Sequence, residues 1–302
     1  MEAVTNSKVT IYTIAKEAGV SPATVSRVLT NSANVRPEKR EKIEELIHKY
    51  NFMPSALARS LTDTQRKLIG IITADVRNSF YADVYIACEN AANKAGYTML
   101  LLNSFGDKEI ERRQIKKLLE QRVDAIIQLG GAADDVDTDS AYAKQVKIAT
   151  KSVPFVVTGK VDGADCNIVR IDAERAIELL VEHLAKNGNR RIALVGGRID
   201  VVSTKAKFQH FLKIAEKYKL DTNPIYLENW GGYRVPKGES AMDELFKKCD
   251  KAKIPYPEAV IAVNDLTAVG VIKSIERHGL KIPEDIAVVG YDNIDIDEII
   301  DP

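Results

Sequence analysis

From Leu68 onward, short apolar runs recur within two groups of four, opening near residues 68, 97, 123 and 153 and then 191, 224, 258 and 286. Within each group the units are 26 to 34 residues long, and amphipathic segments including 79–95, 107–121, 173–187, 235–250 and 264–278 fill the intervals. Strands that alternate with helices at this spacing predict parallel α/β sheets, because a parallel partner is reached only through a long crossover. Two groups of four predict two similar lobes with a cleft between them. Ligands of such folds bind at loops that follow the carboxyl ends of strands. Those loops are 75–81, 128–135, 158–162, 172, 229–233, 264–265 and 291–293, rich in aromatics, amides and carboxylates suited to stacking on sugar faces and hydrogen-bonding hydroxyls.

The 302 residues exceed the length of one average domain, and 45% of them are hydrophobic. Lys+Arg and Asp+Glu are each 43, so the net charge is zero, but the balance is uneven along the chain. Residues 1–67 hold 11 basic and 7 acidic side chains, and residues 68–302 hold 32 and 36. A basic head on an acidic body fits a DNA-reading module joined to a sensing domain. No run approaches the ~20 apolar residues of a membrane span, and residues 1–8 are polar without an apolar stretch behind them, so a cytoplasmic location without membrane contact is expected. Cys88, Cys166 and Cys249 are far apart in sequence and read as reduced thiols.

In the head, Ile11, Ile14, Ala15 and Ala18 form an apolar helical face that ends at Gly19. Ser21 then reads as an N-cap and Pro22 as the first residue of a second helix, 22–29. Two helices with a short glycine turn make a helix-turn-helix, and a third from 37 to about 50, with Ile43, Leu46, Ile47 and Tyr50 on one face, closes the core. Pro22, Ala23, Thr24, Ser26 and Arg27 are the outward residues, small, polar or cationic as a major groove requires. The segment 55–61 spells about two helical turns, too few to be stable alone in water.

The runs T-I-Y-x-I-A-x-x-A-G-V-S-x-A-T-V-S-R-V-L and N-F-M-P-S-A-L-A-R-S-L resemble the lactose-repressor/galactose-repressor (LacI/GalR) family of bacterial regulators. So do I-G-I-I-T-A-D-V-R-N-S-F-Y, V-D-A-I-I, V-N-D-L-T-A-V-G-V-I and A-V-V-G-Y-D-N in the body, which resemble the family's periplasmic-binding-protein-like effector domain. The resemblance implies an α/β fold with an all-α DNA-binding head at 1–54, a hinge helix and linker at 55–67, and a two-lobed effector-binding and dimerisation domain at 68–302. It implies that Tyr12, Ser21, Thr24 and Arg27 contact DNA, that Pro22 and Ala23 occupy the variable base-reading pair, and that Ala58 and Leu61 enter the minor groove with Leu61 as the wedge. It also implies effector contacts at Asn264 and Asp292, with Phe80 and Tyr81 as an aromatic wall; Asp75, Asp172 and Trp230 lie in the same loops. The expected protein is a homodimer on pseudo-palindromic operator DNA, a repressor of a carbohydrate-utilisation operon governed by a small sugar or sugar derivative, with no other cofactor.

Three departures stand out. Lys207 replaces an arginine usual in the family, and an ammonium cannot reproduce a guanidinium fork. Gly159-Lys160 stands where many members have an acidic residue. Together these changes allow either an anionic effector held by Lys207 and Lys160 or two solvated lysines. Members also usually continue beyond the position of Pro302 with a strand and helix, so either these 302 residues are a fragment of a longer chain or the first lobe lacks that edge. An enzyme is disfavoured: neither Gly130-Gly131 nor Gly196-Gly197 extends to a nucleotide-binding motif, and the four histidines lack metal spacing. A sugar-transport protein and a regulator controlled by a protein corepressor are the remaining alternatives.

Overall fold

A computed structural model describes residues 9–29, 35–52, 66–228 and 231–300, which divide into two units, 1–66 and 67–302. Ala58, Leu61 and Trp230, together with most of the expected hinge, lie outside the described residues. Helix α1 (Ile11–Ala18) is started by a capping box in which Thr10 and Thr13 exchange backbone and side-chain bonds, and Gly19 ends it in the left-handed conformation at φ 69°. Helix α2 (Pro22–Leu29) begins where Ser21 Oγ accepts from the Thr24 backbone N–H at 3.3 Å. Ile14, Ala15, Ala18, Val25 and Val28 pack with Ile43 and Leu46 of α3 (Pro37–Lys49). Lys49 Nζ and Tyr50 Oη both reach Glu17, at 2.7 and 2.6 Å, and tie the third helix to the first.

The body carries two all-parallel sheets. In the first, β1 (Leu68–Thr73), β2 (Thr98–Asn103), β3 (Ala125–Leu129), β4 (Phe155–Val157) and β5 (Asn167–Ile168) lie in the order β2-β1-β3-β4-β5. Ile71 is in register with Leu101 on one side and Ile127 on the other. Helices α5 (Lys108–Glu120) and α6 (Ser140–Ala149) bury Ile115, Leu118, Tyr142 and Val146 against Ile72, Ile126 and Phe155. Helix α4 (Ser79–Lys94) is covered far less, with Ala92 as its one buried residue.

In the second sheet, β6 (Ile192–Val195), β7 (Leu227–Glu228), β8 (Ala259–Ala262) and β9 (Ala287–Val289) lie in the order β7-β6-β8-β9. Successive side chains of β6 alternate between faces. Ile192 and Leu194 meet α7 (Ala173–Lys186) and α8 (Val202–Lys217), while Ala193 and Val195 meet α9 (Val235–Ala252) and α10 (Asp265–Arg277). Burial on both faces explains why these strands read as continuous apolar runs.

Two differences from the sequence reading concern short or interrupted elements. The first sheet has a fifth strand, β5, whose two residues are both exposed and carry no apolar alternation. The run opening near 224 begins as a 3-10 turn, Pro224–Tyr226, and becomes strand only at Leu227. Helices α6 and α8 complete the alternation.

Helices α9 and α10 cross at glycines. A methyl at Gly270 would meet Val235 O, would lie 2.5 Å from Glu239 N, and would lie 3.0 Å from the carbonyl carbon of Gly238, all main-chain atoms that cannot rotate away. Replacing a helical glycine by alanine ordinarily gains about 1 kcal/mol of helix propensity. Here overpacking outweighs that gain, so Gly270→Ala is expected to lower the stability of the body by at least about 2 kcal/mol in urea unfolding. A neutral or stabilising result would contradict this backbone contact.

Candidate effector cleft and DNA-reading face

On the head, the exposed side of α2 presents Ala23 and Arg27 one turn apart, with Val25 and Val28 directed inward. Pro22, Thr24 and Ser26 flank them half-buried, and Ser21 Oγ lies 2.9 Å from Thr24 Oγ1. Tyr12 on α1 is 71% exposed, an unusual position for an aromatic ring unless something covers it. Ser21, Pro22, Ala23, Thr24, Ser26 and Arg27 thus share α2 and its cap, and Arg27 supplies their cation.

In the body, the carboxyl ends of both sheets feed loops that meet. The Val136 N–H donates to Asp200 O at 2.8 Å, an antiparallel bridge joins Asp135 to Val201, and Arg234 Nη1 stands 3.5 Å from Asp75 Oδ2. Asp75 is held mainly by Arg77, through two bonds of 2.8 Å, and these bonds keep its pKa below the ordinary carboxylate value. It therefore sits at the rim as an ion-paired group.

The first lobe contributes an aromatic wall. The Asn78 side chain caps α4 by accepting from the Phe80 N–H, and Phe80 packs edge-on to Tyr81 with ring centroids 5.4 Å apart. Tyr81 Oη lies so close to Gly130 that a Cβ there would collide with it. Burial pushes the Tyr81 phenol upward in pKa, with Asp134 and Tyr233 adding to the shift. Behind this wall, Glu111 accepts from Ser104 Oγ and the Ala132 N–H, each at 3.0 Å. Burial nevertheless outweighs both bonds and raises Glu111 to about 7.

The second lobe contributes a buried ammonium. Lys207, on α8, is 8% exposed; its Nζ donates to Val263 O at 2.6 Å and lies 3.3 Å from the Tyr291 ring centre. Burial depresses its pKa, and the negative charges of Asp292 and Asp265 oppose that shift. Asp292 is shifted upward by burial, which Lys207 opposes. Its backbone stands at φ 107°, a strained conformation for a side-chain-bearing residue that costs of order 1–3 kcal/mol. Among the described residues, no hydrogen-bond donor meets the Asp292 carboxylate and no ion pair joins it to Lys207.

The other expected residues are committed locally. Asn264 caps α10, with Oδ1 accepting from Thr267 N and Oγ1 and Nδ2 donating to Tyr233 O at 3.0 Å. Asp172 caps α7 through the Arg175 N–H. Lys160 Nζ is paired with Asp162 at 2.8 Å. Lys207 is therefore not a solvated side chain, and Lys160 already has a carboxylate. Asp134, Tyr233 and Tyr291 lie in loops that the sequence marked, but nothing in the sequence set them apart; their positions depend on how the loops pack.

With this geometry in view, the chain can be compared with known proteins. Residues 10–55 match the family described as bacterial regulatory proteins, lacI family, and residues 66–301 match the periplasmic binding proteins and sugar binding domain of the LacI family. The chain belongs to the LacI family. It is 32% identical over 296 residues to catabolite control protein A of Staphylococcus epidermidis, covering 97% of this chain and 85% of that protein. It is 28% identical to the transcriptional repressor PurR of Aliivibrio salmonicida, with the same coverage. A crystal structure of the lac repressor dimer bound to operator and an anti-inducer superposes with a TM-score of 0.81 at 28% identity, covering 96% of this chain and 84% of that one. The chain is thus a LacI-family DNA-binding transcriptional regulator with a sugar-binding-type effector domain. Among its described residues, no helix is long and apolar enough to cross a membrane.

The Glu111 environment makes a testable statement about pH. The folded chain retains a proton up to about 7 that the unfolded chain, at 4.5, has already released. A carboxyl that binds its proton more tightly in the folded state loses stability as pH rises through that window. Wild-type melting temperature is expected to fall from about pH 5 to about pH 7.5, and the fall is expected to be shallower in Glu111→Gln. An identical slope in both proteins would remove Glu111 from this account.

Proposed function

We propose that the protein is a homodimeric repressor of a carbohydrate-utilisation operon, released from or fixed to its operator by a small neutral sugar bound between the two lobes. The observation that carries the effector assignment is the unmet carboxylate of Asp292 in a cleft whose ammonium is held internally. Lys207 is engaged by Val263 O and the Tyr291 ring, while among the described residues no donor meets Asp292, so a ligand hydroxyl can donate to it. An anionic ligand would meet Asp292 and an ammonium ligand would meet Lys207, so a neutral polyol is the better fit. This reading replaces the anionic alternative, because Lys207 and Lys160 both have partners already.

The dimer assignment is supported by the lac repressor, which binds operator as a dimer, and by the lightly covered face of α4. Two-fold symmetry would then require two half-sites related by the same axis. Tyr12, Ser21 and Arg27 would set the head on the DNA, with Pro22 and Ala23 reading bases through methyl and methylene contacts. Ala58 and Leu61 would occupy the minor groove. A coupling of about 1–3 kcal/mol between cleft and DNA is enough to change operator affinity ~5–150-fold.

Arg27 provides the test of the DNA-reading face. If its guanidinium contacts a phosphate, Arg27→Ala weakens operator binding and reduces the slope of log affinity against log salt by about 0.9 per subunit contact. Fluorescence anisotropy on a labelled operator across a salt series measures both quantities. Unchanged affinity and slope would remove Arg27 from the interface. Loss of operator binding on adding a neutral sugar, with no other protein present, would separate this reading from control by a protein corepressor.

A further inference from the structure

The loops after β3 and β4 are laced together at the wall of the cleft. The Gly130 N–H donates to Thr158 Oγ1 at 3.1 Å, Thr158 Oγ1 donates to Asp134 Oδ1 at 3.3 Å, and the Lys160 N–H donates to Ala133 O at 2.7 Å. The consequence falls on Gly159. A Cβ at that position would collide with Ala133 O and lie 2.5 Å from Asp134 Oδ1. Main-chain Ala133 O and the Asp134 carboxylate together occupy the volume that a side chain at 159 would need, and only glycine permits that approach.

Asp134 is an unusual carboxylate in its own right. It is largely withdrawn from solvent, and burial raises its pKa to about 6. Among the described residues, no cation is paired with it, and Thr158 is the one donor that reaches it, so Oδ2 has no protein partner. Thr158 links it to Gly130, the residue against which Tyr81 Oη packs, so it stands beside the aromatic wall of the first lobe. An unpartnered acceptor on a half-buried carboxylate can take a donor that enters the cleft.

We propose that Asp134 is a specificity-determining contact of the effector, accepting a hydrogen bond from a hydroxyl of a neutral sugar that lies against Tyr81. The proposal rests on the cleft being the effector site and adds a carboxylate from the first lobe opposite Asp292 of the second. Carboxylates on both walls exclude sugar acids and sugar phosphates by like-charge repulsion, and the lone ammonium of Lys207, already held by Val263 O and Tyr291, does not offset them. The negative charge of the first lobe thus comes from the loop after β3 and not from position 159.

The test uses the full chain with D-glucose, D-galactose, D-xylose and maltose, set against D-glucuronate, D-galacturonate and D-glucose 6-phosphate, by thermal shift and titration calorimetry near neutral pH. Wild type is expected to prefer a neutral sugar over its acid. Asp134→Asn is expected to weaken that sugar roughly 10- to 100-fold, the loss of one hydrogen bond to a charged acceptor, and to narrow the preference over the acid. Lys207→Ala reports on the other wall. If Lys207→Ala abolishes binding while Asp134→Asn changes neither affinity nor preference, the role of Asp134 is overturned and the cleft assignment stands. If neither variant changes binding, or no neutral sugar binds wild type, the cleft assignment falls and the proposal falls with it.

Discussion

Every strand in both sheets runs parallel to its neighbours, and the rest of the effector domain follows from that constraint. A parallel strand cannot be reached by a tight turn, so connections within a sheet return through a helix along its face, except the helix-free loop from β4 to β5. The loops at the carboxyl ends of the strands consequently gather along one edge of each lobe. Residues as distant in sequence as Tyr81, Asp134, Lys207, Tyr233 and Asp292 are brought to the same cleft by this single topological fact. The pairing of Val136 with Asp200 and of Asp135 with Val201 shows the two edges in direct main-chain contact.

Within the cleft, withdrawal from water outweighs charge pairing. Asp75 and Arg77 meet at good distances, but their pair is partly exposed and solvent screens it. Deeper in, Glu111, Asp134 and Asp292 all shift upward because burial outweighs the donors and the cation near them. Asp292 additionally holds a positive φ. The interior is therefore built with unmet hydrogen-bonding capacity, which a ligand bearing several hydroxyls can satisfy while an apolar ligand cannot.

The architecture was legible wherever a local rule determined it. Gly19, Ser21 and Pro22 mark the end of the first helix and the start of the second through contacts within a few residues, and strands buried on both faces announce themselves as apolar runs. Elements that failed to announce themselves lack such signals. Strand β5 is two exposed residues, and β7 is two residues entered through a 3-10 turn. Helix α8 has no side-chain cap at Val201, and its buried face includes Thr204 and Lys207 as well as Phe208 and Phe211, so its apolar period is broken by groups that serve the cleft. In the site, the resemblance pointed to Asn264 and Asp292, but Asp134 was one acidic residue among several in a polar loop. Its significance depends on the space over Gly159, which exists only once β3 and β4 are side by side.

The substitution at position 207 can be read in the same spatial terms. A guanidinium carries five N–H groups in a plane and needs several acceptors arranged to match, whereas an ammonium carries three donors on a flexible stem. Here one donor is taken by Val263 O and the positive charge lies over the face of Tyr291, where the ring quadrupole stabilises it. The cation is thereby held by the protein itself, without a salt bridge to Asp292. Lys207 is thus an internal support for Tyr291 and Val263 O within the second lobe.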